Sequence, residues 1–175
     1  MIFRVLFGDL RLSFLKLIHR NIHFSLYSAF SGSLKCCGNS RVFFGRKIDV
    51  RRGASLFSNN GGILRIGDNV FVGSGCYIVC RKAITIGKNT KIGPNTIIYD
   101  HDHNYVKKGG YLETSVEIGN NVWIGAGCII LRGTKIGDNS IIGAGTFLKG
   151  NYPPNSMIYN KKETVIKPLD NQSSV

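Results

Sequence analysis

An aliphatic residue returns at every sixth position through most of residues 42–148, a period that fits neither a helix nor an ordinary strand. Ile66, Val72, Ile78 and Ile84 make one run. Ile86, Ile92 and Ile98 make a second after a two-residue slip, and Ile118, Ile124, Ile130, Ile136, Ile142 and Leu148 make the longest. Val42, Ile48 and Ala54 extend the pattern upstream more faintly. A triangular solenoid has this period: each face holds one hexapeptide, and three hexapeptides close a coil of about 18 residues. The recurring aliphatic points inward, and stacking buries a continuous apolar column. The residue after it is often Gly, as in Ile66-Gly67, Ile92-Gly93, Ile118-Gly119 and Ile136-Gly137. Asp-Asn or Lys-Asn then follows, as in Asp68-Asn69, Lys88-Asn89 and Asp138-Asn139. Gly and Asn tolerate the backbone angles of sharp corners. The pattern predicts an all-β chain, a left-handed parallel β-helix.

Composition agrees with one repetitive domain in 175 residues: 22 glycines sit at regular spacings in apolar sequence, against 4 prolines. The net charge of +13 favours anionic partners, yet no block of five like charges and no nucleic-acid-binding pattern occurs, so no nucleic acid is expected. Five cysteines (Cys36, Cys37, Cys76, Cys80 and Cys128) make an odd count with no C-x-x-C pair. Free thiols of a reducing cytoplasm are expected, with neither a disulfide framework nor a structural zinc site.

Residues 1–34 read as a helical extension, 35–158 as the β-helix domain, and 159–175 as a C-terminal extension and frayed tail. In the first segment Leu6, Leu10, Phe14, Leu17 and Ile18 can share one helical face, while Arg4, Asp9, Arg11, Lys16 and Arg20 interrupt any membrane span or signal-peptide core. Such a helix can pack on the solenoid or a neighbouring subunit, or residues 1–30 can rest on an anionic membrane face. At the other end, Pro153-Pro154 is expected to stop regular strand pairing.

The period fails between Ile98 and Val116, where Tyr99-Asp100-His101-Asp102-His103-Asn104-Tyr105 is followed by a polar stretch to Glu113. Ile98 and Ile118 lie about one coil apart, so the loop 99–115 reads as an excursion replacing a coil. Loops breaking a rigid scaffold commonly carry function. Alternating His and Asp side chains can share one side of an extended segment and hold a metal, can simply be solvated, or can supply a general base.

The ordered set Ile92-Gly93-Pro94-Asn95, Asp100-His101-Asp102-His103, Val122-Trp123-Ile124-Gly125-Ala126-Gly127, Ile141-Ile142-Gly143-Ala144-Gly145 and Pro153-Pro154-Asn155 resembles the hexapeptide-repeat acyltransferases. It is most similar to the galactoside and maltose acetyltransferase group and to lipopolysaccharide and capsule O-acetyltransferases, over roughly residues 64–158. The resemblance implies an acetyl-CoA-dependent O-acetyltransferase that modifies a saccharide of a bacterial surface polysaccharide and needs no metal. It implies a cytoplasmic homotrimer with sites between subunits, peripheral to the inner face of the inner membrane if residues 1–30 touch lipid. An N-acetyltransferase on an amino sugar and a non-catalytic metal-binding repeat module are the alternatives.

By the family's spacing, nine residues beyond Pro94, His103 is the general base, with His101 second. Asp100 and Asp102 would orient it or meet the acceptor. The family's asparagine one coil earlier has no counterpart, since Gly73 stands nearest; Ser74 or backbone amides would serve instead. Asn104 and Tyr105 are acceptor candidates. Gly125, Ala126, Gly143 and Ala144 match the small-residue groove of the pantetheine arm, with Trp123 as its wall and Lys149 and Lys167 toward the nucleotide.

Overall fold

The computed structural model of the chain describes residues 21–23, 28–106, 109–164 and 166. Every regular element among them is a strand, and no helix long and apolar enough to cross a membrane occurs among them. Three parallel sheets form the faces of a prism. Sheet A joins Ile22–His23, Arg41–Phe44, Ile63–Ile66, Ala83–Ile86, Val116–Ile118, Lys135–Ile136 and Asn151–Tyr152. Sheet B joins Ala29–Phe30, Asp49–Val50, Phe71–Val72, Lys91–Ile92, Trp123–Ile124, Ile141–Ile142 and Met157–Ile158. Sheet C joins Ser33–Cys36, Ser55–Ser58, Tyr77–Cys80, Ile97–Tyr99, Ile129–Ile130 and Phe147–Leu148. The chain visits A, B and C in turn, giving the expected solenoid.

In the C-terminal coils Ile118 pairs with Ile136, Ile124 with Ile142 and Ile130 with Leu148, an eighteen-residue step throughout. Earlier coils are longer: Leu64 pairs with Ile84 twenty residues on, and Val42 with Leu64 twenty-two. The sheet A strands there have four residues and point two of them inward, Leu64 with Ile66 and Ile84 with Ile86. That is the origin of the two-residue slip in the hexad. All of these inward side chains are at most 3% exposed. Each well-buried aliphatic adds about 1.5–3 kcal/mol of favourable transfer energy.

Polar residues two positions before the aliphatic are buried at the corners and satisfied between coils. The Thr90 hydroxyl donates to the Gly119 carbonyl (2.9 Å) and that of Thr96 to Gly125 (3.1 Å). Cys76 and Cys128 occupy the equivalent place, their thiols against the carbonyls of Gly93 (3.1 Å) and Gly143 (3.2 Å). The A–B corner is turned by Asn69, Asn89, Asn121, Asn139 and Asn155, all at φ between 55 and 59°. Their side-chain amides form a ladder along the prism, each bonded to the next at 3.0–3.2 Å. Coils approach so closely that a Cβ on Gly125 would lie 2.6 Å from the Ala144 nitrogen.

Two boundaries differ from expectation. Residues 22–23 and 28–34 are not helical: Ile22 pairs with Val42 and Phe30 with Val50, so the solenoid starts a full coil earlier. Backbone pairing with the coil above, the burial of Ile22 (1% exposed) and the edge-on contact of Phe30 with Phe44 (5.9 Å) favour strand there. The apolar stripe of residues 6–18 lies outside the described residues, as do Lys167 and the tail 171–175. Pro153-Pro154 also does not end pairing. The prolines turn the A–B corner, where Asn155 donates to the Asp138 carbonyl (2.8 Å), and Met157–Ile158 adds a last strand to sheet B.

Candidate active site

The hexad fails where an antiparallel hairpin, His101–His103 against Tyr111–Glu113, leaves the corner between sheets C and A. Its neck is closed by the Thr114 N–H donating to the Asp100 carbonyl (2.9 Å). No coil is replaced: Ala83–Ile86 pairs directly with Val116–Ile118, and Ile97–Ile98 with Ile129–Ile130. The excursion is an insertion at a corner, where the strands on either side keep their own pairing.

His101 and His103 share one side of their strand and line a cavity of about 470 Å³ with Phe57, Asn59, Tyr77, Tyr99 and Tyr111. The rings run in sequence along it. Tyr77 meets Tyr99 (6.0 Å), Tyr99 meets His101 (5.5 Å), His101 meets Tyr111 (5.4 Å) and Tyr111 meets His103 (4.8 Å). Arg81 braces the hairpin, its guanidinium 3.6 Å from the Tyr111 ring centre and 2.9 Å from the Glu113 carboxylate.

The two aspartates do different work. Asp100 is fully buried and accepts from the backbone N–H groups of Arg81 (2.9 and 3.1 Å) and Lys82 (2.7 Å). Nδ1 of His101 lies 3.1 Å from the same carboxylate. An ionised carboxylate only accepts, so this contact places the proton on Nδ1 and leaves Nε2 as the basic nitrogen of a neutral ring. Asp100 therefore orients His101 and not His103. Burial, reinforced by the Asp100 charge, pushes the neighbouring Cys80 thiol up to about 12, so it stays protonated and is no nucleophile at neutral pH. The Asp102 carboxylate is engaged by Arg132 (Nε, 2.6 Å) and Lys149 (Nζ, 3.6 Å) on the next coils. It ties the hairpin down and makes no bond to His103. His103 is exposed, with its ring against Tyr111. Among the described residues no group of three or more His, Cys, Asp or Glu could hold a metal ion.

The remaining sequence candidates fall elsewhere. Ser74, Gly125, Ala126, Gly143 and Ala144 lie at the corner between sheets B and C. Successive coils are linked there by Asn95 donating to Ser74 (2.9 Å), Gly127 to Pro94 (2.8 Å) and Gly145 to Ala126 (2.7 Å). Trp123, 60% exposed on sheet B, borders a hollow of about 550 Å³ with Phe71, Lys91, Gly93 and Pro94. Lys149 sits with the hairpin rather than with these small residues, and Ser74 does not line the histidine cavity. Asn104 and Tyr105 stand at the hairpin tip, where the Asn104 N–H donates to the Gly110 carbonyl (3.0 Å) and Tyr105 is 85% exposed. Within one chain, then, the histidines and the small-residue corner occupy different edges of the prism.

Sequence reasoning missed Asn59, Tyr77, Tyr99, Arg81, Tyr111 and Arg132. The signal available was register: Val79, in the strand that begins at Tyr77, pairs with Tyr99 just before the loop, which puts these outward rings below it.

Two family models match the chain, "Bacterial transferase hexapeptide (six repeats)" over residues 115–150 and "Hexapeptide repeat of succinyl-transferase" over 63–100. The galactoside O-acetyltransferase of Escherichia coli K12 is 33% identical over 67% of this chain and 60% of its own length. The chain thus spans less than two thirds of that relative. A protein of the same organism named for lipopolysaccharide biosynthesis O-acetyl transfer, WbbJ, is 28% identical over 89% of this chain and 82% of its own. A Vibrio cholerae hexapeptide-repeat acetyltransferase solved with acetyl-CoA superposes with a TM-score of 0.61 at 26% identity, covering 73% of this chain and 70% of that one. A Bacillus cereus N-acyltransferase, at 17% identity and a TM-score of 0.70 over 85% and 82% of the two chains, shares the fold. Repeat, corner geometry and these matches agree: the chain belongs to the hexapeptide-repeat acyltransferase family.

Proposed function

We propose that the chain is an acetyl-CoA-dependent O-acetyltransferase acting on a saccharide of a bacterial surface polysaccharide, as a homotrimer with sites between subunits. The observation that carries this reading is the pair of histidines held over an open cavity by a braced hairpin, with no cysteine, serine or threonine among its described lining residues. Direct transfer needs only a base. The imidazole takes the proton of an acceptor hydroxyl, whose oxygen forms a bond to the acetyl carbonyl carbon. The tetrahedral oxyanion collapses with cleavage of the carbon–sulfur bond, and the imidazolium returns the proton to the CoA thiolate. Acetyl-CoA would bring the acyl group along the Gly125-Ala126 and Gly143-Ala144 corner, where small side chains leave backbone N–H and C=O groups within reach of the pantetheine amides.

The trimer has a physical motive. Trp123, Ile141 and Met157 stand outward on sheet B, and Ile129 and Phe147 on sheet C, all exposed. Outward positions of sheet A, such as Arg41, Arg65, Thr85, Glu117 and Lys135, are largely polar. The two apolar faces meet at the small-residue corner, so their burial against a neighbour sets one chain's corner beside the next chain's hairpin. Any membrane contact of residues 1–30 is part of the same proposal, and liposome binding by the full chain and by a chain starting at residue 31 measures it.

His103 is the proposed base, on its exposure to the cavity and its distance from Pro94. A second reading, His101 as base, is favoured by the Asp100–His101 contact, which would steady an imidazolium. Acetyl transfer at saturating acetyl-CoA separates them. His103→Ala is expected to lower kcat by about a hundredfold or more, and His101→Ala by less. Near-normal kcat in His103→Ala with a dead His101→Ala would reassign the base. Absence of thiol release with every saccharide tried would remove the enzyme reading itself.

A further inference from the structure

The cavity beneath the hairpin has a lining whose charges are all committed. Among the described lining residues Arg81 is the one guanidinium or ammonium group, and it is bound to Glu113 at 2.9 Å while stacked on Tyr111. Asp102 is the one carboxylate among those described residues, already shared by Arg132 and Lys149. What the lining leaves unused is uncharged. Tyr77 and Tyr111 are each about 40% exposed as whole residues, and no phenol oxygen of Tyr77, Tyr99 or Tyr111 has a hydrogen-bond partner among the described residues. The Asn59 side chain is likewise unpartnered, with a buried Oδ1 that bonds nothing. A buried amide oxygen with no partner costs about 1–3 kcal/mol unless a bound molecule or a turn of the amide satisfies it.

From this arrangement we infer that the cavity is the acceptor subsite and that it selects an uncharged pyranose. The reading rests on the transferase function proposed above. A pyranose has one face of axial C–H groups that packs on an aromatic ring and a rim of hydroxyls that are both donors and acceptors. The Tyr77–Tyr99–Tyr111 wall offers the first surface, and Asn59 with the phenols offers partners for the second. A sugar lying on this wall presents its far edge to His101 and His103. A uronate would bring a carboxylate to a lining with no free cation, and an amino sugar an ammonium to one with no free carboxylate. Each would be desolvated without a counter-charge. The volume, about 470 Å³, falls in the range of about 300–1,000 Å³ common for small-molecule sites.

The test uses the full chain and two independent readouts. In saturation-transfer NMR with aromatic irradiation, the probes are the methyl pyranosides of glucose, galactose, mannose and rhamnose, with methyl glucuronide and methyl glucosaminide beside them. Neutral probes are expected to receive saturation on their ring C–H protons, and the charged pair to receive several-fold less. Tyr77→Ala should abolish the signal, whereas Tyr77→Phe, which keeps the ring, should retain it. In the second readout, thiol release with acetyl-CoA, Tyr77→Ala and Asn59→Ala should each raise the acceptor KM about tenfold and leave the acetyl-CoA KM unchanged. Preference for the glucuronide or glucosaminide overturns the inference. So does equal neutral-sugar saturation in Tyr77→Ala, or no saturation of any neutral pyranoside. Tyr77-dependent binding without any acetyl transfer would sustain the subsite and remove the function proposed above, so the two failures are distinct.

Discussion

Cys80 shows how one residue reports on the buried floor of the site. Its thiol is fully buried beside the Asp100 carboxylate, and both burial and that charge disfavour the thiolate, moving it from about 9 to about 12. Because the folded value lies above the unfolded one, the stabilising contribution is fully present below about pH 9. It is lost as pH rises from there toward 12, since the unfolded chain can release the proton and the folded chain cannot. Cys80→Ala is therefore expected to lose less stability than the parent between about pH 8 and pH 10.5, read as the shift in urea midpoint. Native thiol titration gives a companion result. Cys37, the one half-exposed cysteine, should react promptly, while Cys36, Cys76, Cys80 and Cys128 react only on unfolding. Prompt modification of Cys80 at neutral pH would contradict the geometry around Asp100.

At the scale of elements, the hairpin and the Asn ladder are separable parts. Since the Thr114 N–H already reaches the Asp100 carbonyl and the sheets run unbroken past the neck, residues 101–113 can be replaced by one glycine without disturbing the coils. That deletion should keep the far-ultraviolet signature of strand and a cooperative melt but abolish acetyl transfer; loss of folding would show that the hairpin is structural. Asn121 tests the corner. It holds φ at 55° and bonds both Asn89 and Asn139 (3.0 Å each). Asn121→Ala should cost about 2 kcal/mol, from a left-handed backbone that Ala resists plus the lost amide bonds. Asn121→Gly keeps the backbone and should cost about half as much in chemical denaturation. The hexad made these corners legible from sequence, because Gly and Asn recur wherever the chain turns. The first coil was illegible: Ile22, Phe30 and Leu34 also suit an amphipathic helix, and the twenty-residue step hides the period. The hairpin was legible as an interruption. The pairing of Asp100 with His101, and of Asp102 with Arg132, was not, because side chains from different coils meet only after the solenoid closes.

The whole molecule raises the question of why the proposed base and the proposed acetyl-CoA groove should lie on different edges of one prism. In a cyclic trimer each chain meets its neighbour through unlike edges, so the hairpin at the C–A corner of one can face the B–C corner of the next. The exposed apolar columns on sheets B and C supply the drive for that contact, and a single charge in the middle of one, Trp123→Glu, should yield monomers by light scattering and remove activity with it. Complementation decides whether the site is shared. His103→Ala removes the proposed base from the hairpin, and Ala126→Trp fills the small-residue corner from an exposed position. Each variant alone should be nearly inactive. After the two are unfolded together, refolded and mixed in equal amounts, random trimers place an intact hairpin against an intact corner at about one interface in four. Recovery of about a quarter of the parent activity is therefore expected, whereas a site contained within one chain predicts none, because every chain in the mixture carries one lesion.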